Sequence, residues 1–104
     1  MTPKEFQAEI DRLAKMATDA GRLVELGFLS FRQHMMKKDA TDAQITAMRL
    51  AFFCGAQHLF GSIMGILDPG EEPTSKDFAR MGLIEKELAE FYQFMKAWQK
   101  KGMH

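Results

Sequence analysis

Apolar residues recur along the first forty positions at Phe6, Ile10, Leu13, Ala17, Ala20, Val24, Phe28, Phe31 and Met35. Every step is three or four residues, so the stripe stays on one helical face. It keeps phase across Gly21 and Gly27, which predicts a single long helix over residues 3–38, roughly 54 Å at ~1.5 Å per residue. Each glycine weakens a helix by roughly 1 kcal/mol relative to Ala. They are therefore the two places where this one would bend.

A second helix is predicted over 42–67 and a third over 75–100. The third carries Phe78, Met81, Ile84 (or Leu83), Leu88, Phe91, Met95 and Trp98 as its stripe, with Glu85, Lys86, Glu87 and Glu90 opposite. The second differs in charge: residues 41–67 hold only Asp42 and Arg49. A helix with so little charge belongs at the centre, covered on most sides. It has a large face of Ile45, Met48, Phe52, Leu59 and Ile63. Its small face of Ala47, Ala51, Gly55, Gly61, Ser62 and Gly65 would let another helix backbone approach, or leave room for a ligand.

The boundaries have their own chemistry. Thr2, Thr41 and Thr74 each precede a predicted helix and can accept a hydrogen bond from an unpaired first-turn N–H. Glu5 and Gln44 stand three residues after the first two caps. Asp77 places a carboxylate in the first turn of the third helix, where the dipole favours it. The run Asp68-Pro69-Gly70-Glu71-Glu72-Pro73 is the clearest loop signal. A second break falls at residues 38–41. No strand-like alternation of useful length occurs. The expected fold is all-α: one domain over 1–104, a three-helix antiparallel bundle with a long first helix.

Helices of such unequal length do not cover one another. Leu23, Val24, Leu26, Phe28, Leu29 and Phe31 crowd six large apolar residues into nine positions, more than one buried face accommodates. Small domains also gain burial by associating. A two-fold homodimer in which the first helices contribute to a shared bundle is therefore expected.

Composition narrows the function classes. The chain has 104 residues, 14 basic and 14 acidic side chains, and a formal net charge of +0. A disordered, collagenous or disulfide-built chain does not fit, and the basic excess typical of nucleic-acid binders is missing. Cys54 is the single cysteine. With no apolar leader-like run near Met1, it suggests a cytoplasmic location. Leu50 to Leu67 is uncharged for 18 residues, the lower edge of spanning length. Gln57, His58 and Ser62 interrupt it, so a buried bundle helix is expected instead of a membrane span. Nine Met and nine Phe suit core packing, or an adaptable partner groove.

Candidate chemistry is sparse. Cys54 and His58 share a helix face at i and i+4, but two ligands do not make a metal site, and only His34 and His104 remain as imidazole partners. A buried thiol beside a hydrogen-bonded histidine is the plainer expectation. Gln57 and His58 would pair across the bundle, or line a small polar pocket with Cys54. No Glu-x-x-His pair, glycine-rich phosphate loop or helix-turn-helix occurs. No catalytic residue, cofactor or metal is therefore assigned.

The run Ala51-Phe52-Phe53-Cys54-Gly55-Ala56-Gln57-His58-Leu59-Phe60, followed by Leu67-Asp68-Pro69-Gly70-Glu71-Glu72-Pro73-Thr74, resembles small uncharacterised proteins of proteobacterial phages and prophages. The resemblance spans residues 45–95 and implies an accessory protein with no assigned activity. The expected function is non-enzymatic and works through protein–protein contacts. A nucleic-acid-associated regulator using Arg32, Lys37, Lys38, Lys100 and Lys101 is the alternative. A ligand or metal pocket at Cys54, Gln57 and His58 is a third reading.

Overall fold

A computed structural model describes residues 1–100 and is all-helical, with no strand among them. Four helices follow in order: α1 (Pro3–Asp19), α2 (Leu23–Met35), α3 (Asp42–Ile66) and α4 (Ser75–Lys100). The long first helix expected over 3–38 is thus two helices, and the three-helix count becomes four.

The physical reason lies at Gly21, whose φ is +72°. The backbone there is left-handed, which costs an L side chain ~1–2 kcal/mol and glycine nothing. The Gly21 N–H donates to the Thr18 carbonyl at 2.9 Å, and the Arg22 N–H to the Ala17 carbonyl at 2.7 Å. This pair of bonds is a Schellman motif, and it closes the last turn of α1. Gly27 does not break α2. Its role is close approach: a Cβ there would meet the Phe52 ring edge at 3.2 Å.

The chain divides into two compact units, residues 1–60 and a second unit that begins at Gly61. The core of the first is aromatic. Phe28 is only 2% exposed. Its ring lies 5.7 Å from Phe52, edge-on, and 6.3 Å from Phe31, while Phe31 and Phe52 are also 5.7 Å apart. Burying one Phe stabilises by ~1.5–3 kcal/mol, and edge-to-face pairs add ~0.5–1.5 kcal/mol each. A polar clasp flanks the cluster: Arg49 donates to Glu25 at 2.6 Å and lies over the Phe53 ring at 4.5 Å. The α3 N-terminus is fixed by a capping box, with the Gln44 N–H donating to the Thr41 hydroxyl and the Thr41 N–H to the Gln44 side chain.

The second unit is organised by its loop. Asp77 is 3% exposed. Its carboxylate accepts from the Asp68 N–H at 2.8 Å and the Thr74 N–H at 3.0 Å, and its own N–H donates to the Thr74 hydroxyl. Arg80 donates to the Ile66 carbonyl and to the Asp68 carboxylate. The Thr74 hydroxyl and Arg80 hold the Asp68 carboxyl below the usual aspartate range. The Thr74 and Asp68 N–H groups do the same for Asp77.

Candidate functional site

The expectation that α3 is covered on most sides does not hold for the chain by itself. Ile45, Phe52, Phe53, Ala56, Leu59 and Ile63 form its half-buried line. The opposite side is open. Leu50 is 66% exposed and Met64 is 61% exposed. No atom lies within 4 Å of where a Cβ would sit on Gly55, Gly61 or Gly65, so no helix backbone approaches these glycines. The small face is present, but no helix among the described residues packs on it.

The same correction applies to Cys54, Gln57 and His58. All three are exposed, and none makes a side-chain hydrogen bond among the described residues. The expected buried thiol and cross-bundle hydrogen bonds do not form. The three share the open side of α3. Among the described residues, no three His, Cys, Asp or Glu side chains are grouped to hold a metal. Among the same residues, no helix is long and apolar enough to cross a membrane. His104 and Lys101 lie outside the described residues.

Heptad spacing marks the open side. Ala47, Leu50, Cys54, Gln57, Gly61 and Met64 follow one another by three and four residues, which places them on one line of the helix. The line has no charge. Its apolar members alternate small and large: Ala47 then Leu50, Gly61 then Met64.

The stripe predicted for α4 is only partly packed. Ile84, Met95 and Trp98 are half-buried, whereas Phe78, Leu88 and Phe91 are exposed. Leu83, the alternative to Ile84 on that stripe, is more than 60% exposed, as is Phe94, which lies off it. Leu26 and Leu29 of α2, which fall off the main stripe of the first segment, are exposed as well.

Two depressions lie in the first unit. One, of about 320 Å³, sits at the α1–α2 bend beside Gly21, Leu23, Arg49 and Phe53. The other, of about 260 Å³, lies where α2 ends and α3 begins. It is lined by Leu29, Arg32, Met36, Lys37, Lys38 and Ile45, among others. This brings together three of the five cations singled out in the sequence. Lys100 closes α4, in the other unit.

No protein-family model, curated protein or solved structure matches the chain.

Proposed function

We propose that this chain is a non-enzymatic interaction protein that self-associates as a two-fold homodimer along the open side of α3. The observation that carries this reading is the uncharged heptad line with its exposed Leu50 and Met64. An apolar line of this kind on a charge-poor helix favours a covering partner. The pattern of sizes favours a second copy running antiparallel. In that pairing Leu50 meets Gly61 of the second copy, Met64 meets Ala47, and Cys54 meets Gln57. Each large side chain then faces a small one, as interdigitated packing requires. The resemblance of residues 51–60 and 67–74 to small phage proteins supports an accessory role, exerted through contacts and not through catalysis.

Gly61→Leu tests the reading. The space at Gly61 is open in the single chain, so the added side chain leaves the fold intact and improves helix propensity by roughly 1 kcal/mol. In the dimer it collides with Leu50 of the second copy. Light scattering of the unaltered protein is expected to give twice 11.9 kDa and of Gly61→Leu the single mass, with unchanged helical content. An unaltered protein that is monomeric at every concentration refutes self-association. A Gly61→Leu protein that remains dimeric refutes the α3 seam.

A further inference from the structure

We propose that the basic depression between the end of α2 and the start of α3 is a docking site for a second copy of this chain, which seats there the acidic ridge of its own α4. The inference rests on the self-association proposed above and supplies a polar contact that orients it.

The depression joins three cations to an apolar floor. Arg32, Lys37 and Lys38 stand around Leu29, Met36 and Ile45. None of the three cations forms an ion pair with Asp39, Asp42 or any other acid among the described residues, whereas Arg12, Arg49 and Arg80 each meet a carboxylate. At about 260 Å³ the depression is smaller than the ~300–1,000 Å³ of small-molecule pockets. It suits one or two inserted side chains of a larger partner.

The complementary surface is on α4. Leu83, Glu87, Glu90 and Phe94 follow at steps of four, three and four, so they form one ridge. All four are exposed. Neither glutamate forms an ion pair among the described residues. Two unpaired carboxylates between two apolar ends match an apolar floor between unpaired cations. Opposed charge of this kind fixes register and partner choice. The occupant is a second copy and not a nucleic acid for two reasons. An apolar floor offers nothing to a phosphate backbone, and a formal net charge of +0 supplies none of the field that draws polyanions. In a two-fold dimer the contact is made twice.

Charge reversal on each side, and a mixture of the two, tests this. One variant carries Arg32→Glu, Lys37→Glu and Lys38→Glu; the other carries Glu87→Lys and Glu90→Lys. All five positions are exposed, so circular dichroism should show both variants folded. Each alone should dimerise with a Kd raised about tenfold or more, as read by sedimentation. An equimolar mixture should regain the affinity of the unaltered protein, because each variant then offers what the other lacks. High salt should weaken the unaltered dimer and leave the Gly61→Leu monomer as it is. An unaltered protein that is monomeric removes the underlying reading as well. If the unaltered protein dimerises and both variants dimerise equally well, self-association stands and this contact is overturned. Failure of the mixture to recover affinity also overturns it. So does a salt-sensitive DNA mobility shift lost only in the Arg32 variant with dimerisation unchanged, which would assign the cations to phosphates.

Discussion

Replacing Gly21 by alanine probes the bend that separates α1 from α2. The residue has φ of +72°, and a Cβ there would meet no atom within 4 Å. The cost is therefore conformational and not steric. An L residue pays ~1–2 kcal/mol in the left-handed region. Loss of backbone freedom in the unfolded chain returns ~0.4–1 kcal/mol. The net expectation is a destabilisation of roughly 0.5–1 kcal/mol. D-alanine has the same atoms and favours this backbone region, so it should stabilise by ~0.4–1 kcal/mol. Urea denaturation followed by circular dichroism reads the two midpoints, provided the slope is unchanged. The alternative is that L-alanine heals the break into one helix over residues 3–35. Spin labels at positions 7 and 33, in a Cys54→Ser background, distinguish that outcome. A straight helix would hold them roughly 39 Å apart at ~1.5 Å per residue, and the bent pair is shorter. Equal midpoints for the two enantiomers, or a straight-helix distance in the unaltered protein, would refute the argument.

Four further outcomes follow from the packing. Phe28→Ala should cost ~3–5 kcal/mol, a large part of a small domain's stability, because Phe28 is the one fully buried large side chain described; equilibrium denaturation checks it. Gly27→Val should cost ~1–3 kcal/mol, since even a Cβ meets the Phe52 ring at 3.2 Å, whereas Gly27→Ala should cost less because its helix propensity offsets part of the crowding. Thr41→Ala removes the capping oxygen of α3 and should cost ~1 kcal/mol, with faster amide exchange at Gln44. The Asp68 and Asp77 carboxyls are held below their ordinary range, so their contribution is complete above the unfolded aspartate value of ~3.9 and is lost as pH falls through the lower folded values. The Asp68 and Thr74 amide resonances should report that loss, and Asp77→Asn should flatten their acid titration.

The helix starts were legible because they are local. Thr2, Thr41 and Thr74 each accept the bond that their sequence position implies. The bend at Gly21 was harder to read. The apolar stripe crosses it in phase, and periodicity does not register a residue whose backbone turns left-handed and then resumes a helix. The sharper clue was glycine itself at the close of a well-capped 17-residue helix. Sequence position alone assigns Asp77 a role at the helix dipole. The Thr74-x-x-Asp77 spacing already described a capping box, but the reach of the same carboxylate to the Asp68 N–H depends on how the loop folds back. The three cations at the α2–α3 corner were legible as a cluster, whereas the apolar floor between them comes from residues on two helices.

Charge scarcity in α3 predicts burial inside one chain, and only one side of the helix satisfies that. Scarcity of charge does not by itself specify what covers the other side, and the proposed seam assigns that to a second copy. Gln57 makes this testable. It is the one hydrogen-bonding amide on the open heptad line, and it makes no side-chain hydrogen bond among the described residues. In the antiparallel pairing it meets Cys54 of the second copy near the two-fold axis. A lone polar residue in such a seam costs stability and fixes register. Gln57→Leu should therefore tighten self-association and admit shifted or larger assemblies. Sedimentation would show a higher affinity with a broadened mass distribution. If Gln57→Leu leaves both affinity and mass distribution unchanged, Gln57 does not lie in the interface. The covering chain would then meet α3 along a different line.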